Sequence, residues 1–176
     1  MKTISLLFSL ALVSGALAAS PGVWYDGNKI LPDRPYQKAK EGLGVQLQLT
    51  KNLAFFTDWA LPKTPHFEID RTAQAGDKVY SALFFFGAGT DQKGESYVTF
   101  SGRVLDPHGM PIQTVQDVRA VRGPNSSGPY NLRLSDGYII VQFSNGSQKG
   151  TYTFEVTVTD HVKNVIIPLV QTIDLK

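Results

Sequence analysis

Cysteine is absent from all 176 residues. Disulfides, a thiolate metal site, a thiol nucleophile and a lipoprotein anchor are excluded together, so the fold has to stand on its core even where export would permit cross-links. Histidine is scarce, with three copies at His66, His108 and His161. Asp160 and His161 are sequence neighbours at the end of an expected strand, where adjacent side chains diverge instead of forming an orienting pair. The Gly-x-Ser-x-Gly elbow of serine hydrolases does not occur. Paired carboxylates for glycoside hydrolysis need a cleft, and no insertion is large enough to build one. These absences argue against an enzyme, and nothing in the chain calls for a cofactor.

Charge bias is missing as well. The formal net charge is +2, and it falls to +1 if Lys2 is removed with the N-terminal segment. Arg119, Arg122 and Arg133 read as single arginines on wet strand faces, so nucleic-acid binding has no electrostatic footprint. The apolar run Ile4 to Val13 is too short for a membrane span of about 20 residues, and no later stretch approaches that length uncharged.

What is present begins with a leader. Met1 and Lys2, the apolar run Ile4 to Val13, and Ala16-Leu17-Ala18 have the three-part layout of a secretory signal peptide, with cleavage expected after Ala18. The expected location is secreted or periplasmic, and the remaining length suits one domain. Residues 19–43 hold Pro21, Pro32 and Pro35 without a sustained period and read as an extended lead-in. Within it only Tyr36 to Gly42 has helical composition, too short to bury a stripe. Residues 44–176 form the expected domain.

The most informative stretch is Gly150 to Asp160. Tyr152, Phe154, Val156 and Val158 alternate with Thr153, Glu155, Thr157 and Thr159, so a strand here has one apolar and one polar face and needs a second sheet to cover it. Val165 to Leu175 follows with inward positions Val165, Ile167, Leu169, Ile173 and Leu175. Pro168 interrupts that strand's donors, which predicts an edge or a bulge. Upstream, Val45, Leu47 and Leu49 alternate with glutamines and a threonine. Leu53 to Trp59 and His66 to Asp70 read as short edge strands. Lys78 to Gly87 is apolar on both faces. Tyr97 to Leu105 leads to an Asp106-Pro107-His108-Gly109 turn, and Val115 to Val121 is a weaker strand. Tyr130, Leu132 and Leu134, then Ser135-Asp136-Gly137, then Ile139, Val141 and Phe143 give a hairpin signal. Eight or nine strands with frequent turns predict an all-β, antiparallel two-sheet β-sandwich.

Gly150-Thr151-Tyr152 and the strand it opens resemble the penultimate strand of immunoglobulin-like domains of the PKD and fibronectin-III kind. In those domains a tyrosine after the corner glycine hydrogen-bonds back to upstream backbone. The resemblance implies an immunoglobulin-like sandwich with Tyr152 in a structural role. The whole chain is also similar to small exported bacterial proteins.

Three binding chemistries compete. The expected role is a non-catalytic exported interaction module with a protein or glycan partner. His66, Glu68 and Asp70 at i, i+2 and i+4 share one face of a strand and suit zinc or copper, although a solvated edge face has the same composition. Trp59, Tyr80, Phe84 and Phe86 would make a sugar- or protein-binding platform if one sheet face is left open, against the alternative that they simply fill core. Asn125-Ser126-Ser127 and Asn145-Gly146-Ser147 match the glycosylation acceptor pattern in expected loops.

Overall fold

A computed structural model describes residues 24–26, 29–62, 67–124 and 131–176. The leader, His66, the Asn125 acceptor triplet and Tyr130 lie outside the described residues. In chain order the strands are β1 (Trp24–Asp26), β2 (Lys29–Leu31), β3 (Gln37–Lys40), β4 (Leu43–Thr50), β5 (Thr72–Ala73), β6 (Lys78–Phe86), β7 (Glu95–Leu105), β8 (Pro111–Pro124), β9 (Arg133–Leu134), β10 (Ile140–Gln142), β11 (Gly150–Asp160) and β12 (Val165–Leu175), with one short helix, α1 (Ala54–Asp58).

The fold is all-β. One sheet runs β10-β6-β4-β3 with β9 also on β6, the other runs β5-β12-β11-β7-β8, and β1-β2 form a separate ribbon. Pairing is antiparallel except where β5 joins the end of β12. The strand with the cleanest alternation, β11, lies at the centre of its sheet, paired along its whole length with β12 and over Thr153 to Asp160 with β7. Its inward residues Tyr152, Phe154, Val156 and Val158 meet Leu43, Val45, Leu47 and Leu49 of β4 and Val79, Leu83 and Phe85 of β6 in one core between the sheets.

β12 spans its expected residues, with Pro168 paired opposite Thr157. The N–H groups of this strand's even-numbered residues point away from β11: Val170 N donates to Pro35 O at 2.8 Å and Asp174 N to Arg71 O at 3.0 Å. Proline therefore occupies a position whose missing donor faces the sheet edge.

Three expectations need correction. Leu53 to Trp59 is not an edge strand, because Ala54–Asp58 is a single helical turn. The i, i+4 pair Phe55 and Trp59 stacks edge-on at 5.6 Å, which a strand would not permit. Residues 67–70 are not a strand either. The expected hairpin around Ser135-Asp136-Gly137 is instead one bulged segment running along β6. Leu134 pairs with Phe84 and Ser135 N donates to Leu83 O at 2.8 Å, Ile140 pairs with Tyr80 and Ile139 O accepts from Ser81 N at 2.9 Å, and the residues 136–138 between them loop out, tied to β8 by Asp136 N donating to Ala120 O at 2.9 Å. Ile139, Val141 and Phe143 are nonetheless buried in the core.

The stretch read as Tyr36–Gly42 with helical composition holds β3 and its turn into β4. Glu41 and Gly42 join Lys40 to Leu43 with φ of 50° and 79°, the two left-handed positions of a tight hairpin loop.

Candidate functional site

The polar half of β11 sets the outer face of its sheet. Because its apolar residues go inward, Thr153, Glu155, Thr157 and Thr159 go outward. The register then places Glu155 opposite Arg103 and Thr157 opposite Ser101 on β7, and Arg103 opposite Thr114 on β8. The result is a row of hydroxyls around one ion pair.

A bulge turns that row into a groove. The β7–β8 ladder shifts between the pairs Phe100–Val118 and Gly102–Val115, leaving Ser101 across from Gln116 and Asp117. Asp117 takes φ of 48° and its N–H donates to Ser101 Oγ at 3.0 Å. Aspartate tolerates this left-handed backbone better than most residues. The open depression of about 310 Å³ is lined by Ser101, Arg103, Thr114, Gln116, Glu155 and Thr157, with Gly102 and Val115 between them. A Cβ at Gly102 would come within 2.8 Å of the Glu155 carbonyl oxygen and 2.9 Å of Ile139 Cδ1, so the close approach of β7 to β11 requires glycine.

Arg103 Nε donates to Glu155 Oε2 at 2.6 Å. The side chains are 55% and 36% exposed, and such a pair contributes only about 0–1 kcal/mol. It orders both groups without committing them: the Arg103 η nitrogens have no hydrogen-bond partner among the described residues. The groove thus presents cationic donors, an acceptor carboxylate, an amide and three hydroxyls that both donate and accept. Such a set matches a polyhydroxylated ligand. Among the described lining residues Glu155 is the one carboxylate.

At the far end of the same sheet, Tyr97 stacks on His161 with centroids 4.2 Å apart and planes 18° from parallel. Arg122 lies 5.2 Å from the Tyr97 centroid, and His161 Nε2 is 2.9 Å from Thr99 Oγ1. Asp160, next in sequence to His161, points the other way and is fully buried. Its carboxylate accepts from Gly89 N at 2.7 Å and from Val162 N and Lys163 N at 3.0 Å. The two neighbours diverge and make no catalytic pair.

The aromatic residues singled out from the sequence lie on the other sheet, and they are covered. Tyr80, Phe84 and Phe86 are buried. Phe84 packs with Phe55 of α1, with Trp59 at 5.4 Å and with Phe67 at 5.2 Å. Tyr80 meets Phe56 and Tyr138, and Trp24 sits edge-on over Phe86 at 5.0 Å. Trp59 keeps partial exposure. The four do not form an open platform; they anchor the cover of the β6 outer face.

Of the expected metal ligands, His66 lies outside the described residues. Glu68 is exposed, and Asp70 accepts from Lys51 N at 2.7 Å with Lys51 Nζ 3.6 Å away. Among the described residues no three His, Cys, Asp or Glu side chains gather around one point. The Tyr152 hydroxyl donates to Gln148 O at 2.9 Å.

No family model matches the chain. No curated protein matches it either. Among solved structures, a family 123 glycoside hydrolase from Clostridium perfringens, described for glycolipid glycan hydrolysis, aligns over 76% of this chain at 10% identity and a TM-score of 0.46. The chain spans 27% of that enzyme's length. A Niemann-Pick type C2 protein from the Japanese carpenter ant aligns over 62% of this chain and 82% of its own at 7% identity and a TM-score of 0.37. Both likenesses fall below the level at which a shared ligand follows.

The groove residues were not singled out from the sequence. Their only signal was the polar half of the β11 alternation, which ordinary solvated strands share.

Proposed function

We propose that this chain is an exported, non-catalytic carbohydrate-binding β-sandwich whose ligand lies in the groove across β11, β7 and β8. The observation that carries the reading is the groove's lining: hydroxyls, an amide and the Arg103–Glu155 pair, set around the bulge between β7 and β8 and on the neighbouring β11. Sugar hydroxyls need donors and acceptors in alternation, and this surface offers both without burying any group that must find a partner. Binding rather than turnover is supported by there being one carboxylate among the described lining residues, held by Arg103, where glycoside hydrolysis canonically uses two. Export rests on the leader-like layout of residues 1–18.

An open, shallow groove buries little ligand, so affinity is expected to be weak, with Kd of about 0.1–1 mM. Calorimetric or NMR titration of the leader-free protein against a panel of neutral oligosaccharides tests the reading. Arg103→Ala is expected to weaken the best ligand at least tenfold while leaving the thermal midpoint nearly unchanged. If no oligosaccharide binds and pull-downs recover a specific protein instead, the chain is a protein-interaction module and the carbohydrate reading is wrong.

A further inference from the structure

Two guanidinium groups from distant parts of the chain meet one tyrosine ring. Arg34 Cζ lies 6.0 Å and Arg71 Cζ 5.5 Å from the Tyr36 centroid. Arg34 Nη1 also donates to Tyr36 Oη at 2.8 Å. The backbone fixes this meeting. Arg34 and Gln37 exchange hydrogen bonds at 2.7 and 3.0 Å, and Leu47 N donates to Tyr36 O at 2.8 Å. Val170 N donates to Pro35 O at 2.8 Å, and Arg71 O accepts from Asp174 N at 3.0 Å. Both arginines therefore stand at the β12 edge on segments tied to the sheets.

Neither arginine has a carboxylate partner among the described residues, and the acids nearest in sequence or register are engaged elsewhere. Asp33 accepts from Ala39 N at 3.1 Å. Asp70 holds Lys51. Asp174 accepts from Thr151 Oγ1 at 2.7 Å and lies 3.8 Å from Lys176 Nζ. The Tyr36 hydroxyl accepts from Arg34, and its own proton has no acceptor among the described residues. Two guanidinium groups thus lie within 6.0 Å of one tyrosine ring, and neither makes an ion pair with the described carboxylates. Guanidinium forks match oxyanion geometry, and clustered arginines are the usual way proteins hold such groups.

We infer that Arg34, Tyr36 and Arg71 bind a tetrahedral oxyanion, a sulfate or phosphate that is either free or carried as an ester on a larger molecule. Each guanidinium offers a planar fork of N–H donors and Tyr36 a hydroxyl proton, and the oxyanion oxygens accept from them. The site is separate from the β11–β7–β8 groove and does not depend on how that groove is read.

The test is a titration followed by NMR of the arginine Nε–H and backbone signals, at constant ionic strength set with chloride. Inorganic sulfate, inorganic phosphate, a monosaccharide sulfate and a monosaccharide phosphate are compared. Saturable shifts at Arg34 and Arg71, weakened at least tenfold in an Arg34→Gln, Arg71→Gln double variant with an unchanged melting curve, are the expected result. Tighter binding of an ester than of its free ion names the ester as the source; equal binding names the ion. Arg103→Ala is expected to leave these titrations unchanged, so the groove reading and this site stand or fall separately. Shifts that grow linearly without saturating in every arm, or that persist in the double variant, would overturn the site.

Discussion

Tyr152 shows how one polar atom in a core is made safe. Its ring packs edge-on against Phe143 at 4.8 Å, and its hydroxyl reaches the Gln148 carbonyl across the corner that opens β11. Removing the hydroxyl in Tyr152→Phe is expected to cost about 1 kcal/mol, lowering the thermal midpoint with the fold intact. Burial first, and then the negative Asp106 nearby, raises the phenol's pKa above its ordinary value. The folded state therefore keeps this proton where the unfolded chain loses it. Its contribution is complete below about pH 10 and declines as pH rises from there through the folded pKa. The Phe variant should show a shallower alkaline loss of stability in urea melts repeated from pH 8 upward; an unchanged slope would mean that Tyr152 is not the group titrating. Asp160 is the second such residue. Its buried carboxylate serves three backbone donors and joins the β11–β12 turn to the Gly89 loop. Asp160→Ala leaves those donors without an acceptor and is expected to cost about 3 kcal/mol or more, with Asp160→Asn retaining part of the loss. Equal melting curves for wild type and Ala variant would refute the latch.

At the level of elements, what the sequence made legible was period. β11 matches its expected bounds because apolar and polar residues alternate from Tyr152 to Thr159, and β12 matches through its inward Val165, Ile167, Leu169, Ile173 and Leu175, although Ile166, Val170 and Gln171 break strict alternation. Leu53 to Trp59 carries no alternation, and its apolar residues suit a helical turn as well as a strand. The i, i+4 spacing of Phe55 and Trp59 was the signal that favoured the turn. The groove was hidden for another reason. It depends on a bulge at Asp117, and a bulge adds a residue without changing composition, so its consequence for the outer face appears only once β7 and β8 are in register. Pro168 was legible in kind, and its position explains its use. Val170 N is already held by Pro35 O, and with Ile166 exposed beside Pro168 on β12 a further outward donor at 168 would invite edge pairing. Pro168→Thr is expected to leave the monomer folded and raise self-association, read as a concentration-dependent sedimentation coefficient that the wild type lacks. Identical sedimentation of the two would remove edge protection as the proline's role.

Over the whole molecule, the two sheets divide their labour. The outer face of β6 is closed by α1, Phe67 and Tyr138, so its aromatic residues add a second, smaller core. The outer face of β11, β7 and β8 carries the hydroxyl row and the open groove. Among the described residues no helix is long and apolar enough to cross a membrane. The measurement that tests this division most directly is a backbone chemical-shift map during titration with the best-binding oligosaccharide. Saturable shifts confined to residues 101–103, 114–116, 155 and 157, lost in Arg103→Ala, are the expected result. Shifts centred instead on α1 and Phe84 would place the binding face on the wrong sheet and contradict it.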